Sequence, residues 1–235
     1  IQSDGKLLLF MEKGAIAIWD GNDFKFVIET LEGEETSRFN DVIAAPNGSV
    51  FCGTMSTTEN PGTLYRLDPD GSIQPVITGI GISNGLGFTT DCEWMYYTDS
   101  TAHTIYKYRI NPINGELSER SVFITTPINE GIPDGMTVDS EDHVWSARWD
   151  GWALYRYSPD GEQVNKIDFN TKKVSCPTFA ENPLNKEDSG NSYTDMYVTT
   201  AGGDNPSENG LQAGALFRLN PGISGKPEFR SQIFL

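Results

Sequence analysis

Trp94-Met95-Tyr96-Tyr97-Thr98, then Thr104-Ile105-Tyr106-Lys107-Tyr108, then Asn111-Pro112-Ile113-Asn114-Gly115 is one copy of a pattern that fills the chain. An apolar run is followed by an alternating run and then by residues that turn the backbone, the signature of short antiparallel strands. The apolar run recurs as Lys6 to Phe10, Val50 to Thr54, Val144 to Arg148 and Met196 to Thr200. The alternating run recurs as Ala15 to Trp19, Thr63 to Leu67, Ala153 to Tyr157 and Ala215 to Leu219. Turn residues close these copies at Asp20-Gly21, Asp68-Pro69-Asp70-Gly71, Ser158-Pro159-Asp160-Gly161 and Asn220-Pro221-Gly222.

A further strand precedes each apolar run, and its starts align at Asn40, Asn84, Asp134 and Cys176-Pro177. A spacing of ~40–50 residues carrying four strands marks the blade of a β-propeller, whose sheets bury their faces against neighbours. No segment holds an i, i+3, i+4, i+7 apolar stripe for three turns, which excludes helical repeat arrays. Residues 1–235 therefore read as one all-β propeller domain of about five blades, the first already under way at residue 1. The stretches Glu181 to Asn191 and Gly202 to Gly214 read as loops inside the last blade.

Composition narrows the function. With 33 acidic and 17 basic side chains the net charge is −16, and the few basic residues are interleaved with Asp and Glu. That balance argues against nucleic acid, which is bound through clustered Lys and Arg, and against anionic membrane surfaces. No run approaches the ~18 apolar residues of a membrane span, and Ile1 to Gly5 lacks the basic start of an export signal. Three cysteines without a Cys-x-x-Cys pair predict a reducing, cytoplasmic setting. His103 and His143 lie outside any zinc motif, and no Gly-x-Ser-x-Gly elbow supports a serine nucleophile.

In a propeller the first strands of the blades converge on the central channel, so polar groups at their starts face one another. Arg38-Phe39-Asn40-Asp41, Ser83-Asn84-Gly85-Leu86 and Pro133-Asp134-Gly135-Met136 place Asn40, Asn84 and Asp134 in equivalent positions. Amide and carboxylate oxygens gathered there suit a hard divalent cation.

These motifs, with Phe51-Cys52-Gly53-Thr54-Met55 and Tyr96-Tyr97-Thr98-Asp99-Ser100 in the same order, resemble the family of senescence marker protein 30 (regucalcin), gluconolactonase and luciferin-regenerating enzyme. The resemblance implies a six-bladed propeller and a hydrolase that opens sugar lactones with one divalent metal, Ca, Zn, Mn or Mg. It assigns metal binding to Asn84 and Asp134 and substrate contact to Arg38 and Asn40. The family's third metal ligand, a Glu in a Gly-Glu-x-Pro motif of the first blade, has no counterpart in these residues, so most of that blade is expected to be absent from them. After Met55, where some members carry an acidic sugar contact, this chain has Ser56-Thr57-Thr58.

Chemically, a cation held by two or three oxygens with open positions polarises a lactone carbonyl and orients water. Asp134 is the expected general base, Arg38 the fork that holds substrate oxygens, and Asn40 a neutral donor at the developing oxyanion. Two other readings stay open: a phosphotriesterase using the same cation, and a non-catalytic calcium-binding or interaction propeller.

Overall fold

In the computed structural model, which describes residues 1–181 and 193–234, the chain is all-β and builds five β-propeller blades. The first sheet contains β1 (Leu7–Phe10), β2 (Ile16–Trp19) and β3 (Phe24–Ile28). The second contains β4 (Phe39–Ala44), β5 (Val50–Thr54), β6 (Gly62–Leu67) and β7 (Ile73–Ile80). The third runs through β8 (Ser83–Phe88), β9 (Trp94–Asp99), β10 (Thr104–Ile110) and β11 (Leu117–Thr125). The fourth holds β12 (Ile132–Val138), β13 (Val144–Trp149), β14 (Ala153–Tyr157) and β15 (Gln163–Asp168), and the fifth β16 (Lys173–Ala180), β17 (Asp195–Ala201) and β18 (Phe217–Leu219). Strands are adjacent in space in the order they leave the chain, so each blade is a meander. Six blades are implied by the resemblance; the described residues make five. Of the loops expected in the last blade, Gly202 to Gly214 carries one short helix, α1 (Pro206–Asn209), and the stretch beyond Glu181 lies outside the described residues.

The apolar runs became strands because both of their faces are covered: all five residues of β5 are buried. Full burial of each large apolar side chain contributes ~1.5–3 kcal/mol relative to exposure. The outermost strands differ in kind. In β15, five of six residues are exposed, so Gln163 to Asp168 shows no apolar alternation.

The chain divides into two compact units. One comprises Ile1–Asn84, Arg109–Ser118 and the C-terminal stretch from Glu228. Its core gathers Ile16, Phe39, Val50, Cys52, Leu67 and Ile233. Gln2 pairs with Ser231 in a parallel bridge, and the Gln2 side chain accepts from the Ile233 amide over 2.9 Å.

The other unit comprises Gly85–Tyr108 and the described residues from Glu119 to Pro227. Trp145, Ala147, Leu154, Val174, Met196 and Val198 form one core cluster, and Tyr96, Ile105, Met136, Val138 and Val144 another. Asp139, wholly buried, accepts from Trp145 Nε1 over 2.9 Å and from Arg156 Nε over 2.8 Å. It also caps the amides of Glu141 and His143. Satisfying a buried carboxylate with four donors makes its burial tolerable.

Candidate functional site

The motif residues sit where strand pairing is interrupted. Register shifts between Phe39 and Val42 against β5, which releases Asn40 and Asp41, and between Pro133 and Met136 against β13, which releases Asp134 and Gly135. A third shift, between Val174 and Cys176, marks the same place in β16. Bulges re-aim side chains and interrupt the alternation of a strand. The same device therefore presents Asn40 and Asp134 in two different blades.

In the first unit, Arg38 Nη1 donates to the Phe39 carbonyl and to Asn40 Oδ1, each over 3.0 Å. Asn40 Nδ2 donates in turn to the carbonyl of Ser83 over 2.8 Å, the residue before Asn84. Arg38, Asn40 and the start of β8 are thus one connected group. Ser83 reaches this position because residue 53 is glycine: a Cβ there would lie inside the Ser83 side chain. The Asn40 amide therefore has one Nδ2 proton committed to the backbone and one remaining for a ligand.

Arg38 also lines a cleft of about 430 Å³ with Glu12, Lys13, Glu35, Ser37, Met55 and Ser56. Backbone pairing fixes its walls, since Met55 N donates to Arg38 O over 3.2 Å and Lys13 N to Ser37 O over 2.8 Å. Ser37 Oγ adds a 2.6 Å bond to Met55 O. Two cationic and two anionic side chains leave the cleft without net charge, which suits an uncharged ligand bearing hydroxyls. Glu12, Lys13 and Glu35 carry no recognisable motif, and sequence reasoning passed over them. Beside the cleft's motif, Asp41 Oδ1 accepts from Val42 N over 2.9 Å, and desolvation pushes its carboxyl up to about 6.

In the second unit, the Asp134 segment is held by close backbone approach. A Cβ at Gly85 would lie 2.6 Å from the Asp134 carbonyl oxygen, and one at Gly135 would lie 2.7 Å from Cys176 Sγ. The glycines of Asn84-Gly85 and Asp134-Gly135 are required by these approaches rather than by turns. Ser100 Oγ donates to the Pro133 carbonyl over 2.6 Å, pinning the residue before Asp134. Asp99 serves a turn, its Oδ1 accepting from Ala102 N over 3.3 Å. His103 is half-buried, with its Nδ1 shielded from solvent.

Asn84 is buried and Asp134 half-buried, and they offer an amide oxygen and a carboxylate, donors of the kind a hard cation takes. Each by itself fits such an ion in chemistry. No group of three His, Cys, Asp or Glu side chains placed to hold a metal occurs among the described residues. Nor is any helix among them long and apolar enough to cross a membrane.

A family model described as SMP-30/Gluconolactonase/LRE-like region matches residues 1–202. A pentonolactonase of Haloferax volcanii is 43% identical over 242 residues, covering 100% of this chain and 79% of that protein. Regucalcin of Bos taurus is 29% identical over 241 residues, covering 97% of this chain and 77% of the relative. Among solved structures, a calcium-binding regucalcin from Agrobacterium tumefaciens superposes with a TM-score of 0.84 at 26% identity, covering 100% of this chain and 78% of the other. A luciferin-regenerating enzyme shares the fold with a TM-score of 0.82 at 24% identity, covering 98% and 79%.

Proposed function

Because the chain belongs to the SMP-30/gluconolactonase/LRE-like family, we propose that it is a metal-dependent hydrolase that opens sugar lactones. The observation that carries this reading is Arg38, bonded to Asn40 and lining a cleft without net charge. The identity of the pentonolactonase relative supports the substrate class. A six-bladed assembly with a third ligand of the Gly-Glu-x-Pro kind belongs to the same reading, as does a single domain over residues 1–235.

In this mechanism Arg38 binds hydroxyl or ring oxygens of the sugar through its planar fork. Asn40, held by Ser83, points its remaining Nδ2 proton at the oxygen on which negative charge develops. Asn84 and Asp134 would hold one divalent cation, Ca, Zn, Mn or Mg. When bound, the cation supplies positive charge that polarises the carbonyl and acidifies water. A carboxylate oxygen of Asp134 takes the proton of the attacking water and gives it to the ring oxygen as the acyl–oxygen bond breaks, and the product is the open hydroxy acid. The partner is a small sugar lactone, and three cysteines outside any disulfide suit a cytoplasmic enzyme.

The test is proton release from a panel of five- and six-membered aldonolactones, with the protein loaded in turn with each of the four metals and again after chelation. Turnover abolished by chelation supports the reading. Opening of none of the lactones with any metal, with cleavage of a phosphotriester instead, favours the phosphotriesterase; no turnover of either favours the non-catalytic propeller.

A further inference from the structure

A second cleft, of about 360 Å³, lies wholly within the second unit, between Trp149, Lys173, Gly202, Asp204, Glu208 and Asn209. Its size falls within the ~300–1,000 Å³ of small-molecule sites. None of these residues takes part in the proposed hydrolysis.

The walls are fixed by backbone pairing. Lys173 opens β16 opposite Ala201, the neighbour of Gly202. Lys172 N donates to the Asn209 carbonyl over 2.7 Å, and Asn209 N to the Asn205 carbonyl over 3.0 Å. Residue 202 is held to glycine, since a Cβ there would lie 2.6 Å from Asn209 Nδ2 and its φ is +86°. Asn209 is only 4% exposed. Its Nδ2 donates to the Gly202 carbonyl over 3.2 Å, yet its Oδ1 is buried and unpartnered. Buried polar atoms in folded proteins are paired, and one left open beside a cavity points to a ligand or a bound water.

The charged groups sort the ligand classes. Lys173 Nζ lies 3.2 Å from Asp150 Oδ1 and 4.4 Å from the centre of the Trp149 ring. Lys172 Nζ lies 3.4 Å from Glu208 Oε1, and Asn205 Nδ2 donates to Glu208 Oε2 over 3.1 Å. Both lysines are thus matched by carboxylates. The groups left over are acceptors, Asn209 Oδ1 and the carboxylate of the exposed Asp204. An anion would be repelled by them, with the lysine charge already neutralised. A cation would meet Lys173, which already holds the face of the aromatic ring. Hydroxyl groups escape both objections, because each donates to an acceptor and accepts from a lysine proton. Trp149 and the methylene stem of Lys173 add an apolar wall for the C–H groups of a ring.

We propose that this cleft is a binding site for a neutral monosaccharide, independent of hydrolysis and of every residue of the first unit. The Asn209 amide oxygen and the Asp204 carboxylate accept from its hydroxyls, and Trp149 covers its ring.

The experiment presents the full chain with three pyranose probes that differ in charge, methyl glucoside, glucosamine and glucuronate, and follows binding by ligand-observed NMR. Methyl glucoside should bind at least tenfold more tightly than either charged probe. Asp204→Ala should weaken it roughly tenfold, the value of one charge-assisted hydrogen bond. Asn209→Leu, which keeps the branched shape and deletes the acceptor, should abolish it. Calorimetry reports whether Asn209→Leu keeps its Tm; if it does not, Asp204→Ala, at an exposed position, decides alone. Arg38→Ala should leave methyl glucoside binding unchanged. No binding, a preference for glucosamine or glucuronate, or indifference to Asp204→Ala overturns the proposal. Binding lost in Arg38→Ala but kept in Asp204→Ala moves the sugar to the first cleft and overturns it equally. The lactone reading is untouched by these results, as this site is by a failure of lactone turnover.

Discussion

Asn40 Nδ2 donates to the Ser83 carbonyl over 2.8 Å, tying the bulge of β4 to the residue that precedes Asn84. The amide's other end accepts from Arg38 over 3.0 Å. Asn40 is thus a brace between the proposed substrate contact and the proposed metal-ligand segment before it is a donor to any oxyanion. Charge-assisted hydrogen bonds of the Arg38 kind are worth ~1.5–3 kcal/mol. Arg38→Ala should raise KM roughly ten- to hundredfold with kcat held within a few-fold. Asn40→Ala, by releasing Arg38, should reproduce part of that rise, and a double-mutant cycle in steady-state kinetics should show the two losses to be non-additive. Fully additive losses would mean that the pair acts as two independent groups.

Asp134→Asn should lower kcat by at least ~100-fold, since it removes both the expected base and a negative ligand. Asn84→Ala should instead behave as metal loss, with activity recovered as metal concentration rises. Metal titrations of both variants distinguish the roles. A normal kcat in Asp134→Asn at saturating metal would move the base elsewhere.

Gly53→Ala should be among the more damaging small substitutions in the first unit. Its Cβ would fall inside Ser83, and overpacking of this kind costs ~1–3 kcal/mol. At roughly 2–4 °C per kcal/mol for a chain of this size, calorimetry should register a clear fall in Tm. Adding Ser83→Gly removes the obstructing side chain and should restore part of it.

Asp41 sets a pH dependence. Its carboxyl titrates at about 6 in the folded chain because burial disfavours the charged form, against an ordinary value near 3.9 when unfolded. The folded state holds the proton more tightly, so this contribution to stability is fully present below about pH 4 and is lost as pH rises through 6, by up to ~3 kcal/mol. Asp41→Asn should flatten the curve of Tm against pH between 4 and 6 and leave the variant more stable than the parent at pH 7. An unchanged curve would show that the group titrates normally.

The blades were legible because turn chemistry and apolar runs repeat in phase. Val50 to Thr54 and Ala153 to Tyr157 are strands with the bounds that their sequences suggest. The last alternating run is shorter than it looks, because Gly214, at φ 81°, keeps Ala215 in a turn and β18 begins at Phe217. Outer strands such as β15 were not legible, since a strand with one partner and solvent beyond it has no need of apolar residues. At the site, Arg38 and Asn40 could be read from a motif, whereas Glu12, Lys13 and Glu35 could not: loops bring them together, and no local spacing records that. Trp145 belongs to the core, being completely buried with Nε1 on Asp139.

The crowding at Gly85 has a consequence for how the molecule ages. Asn-Gly is the sequence most open to spontaneous deamidation, which requires the glycine nitrogen to swing onto the asparagine side-chain carbonyl. In Asn84-Gly85 the glycine is pressed against the Asp134 carbonyl at 2.6 Å and the Met136 nitrogen at 2.8 Å, measured from where its Cβ would stand. Backbone that close on one side of Gly85 opposes rotation of its peptide plane. The fold thereby slows conversion of Asn84 into aspartate, and a chain that has opened around Gly85 loses that protection.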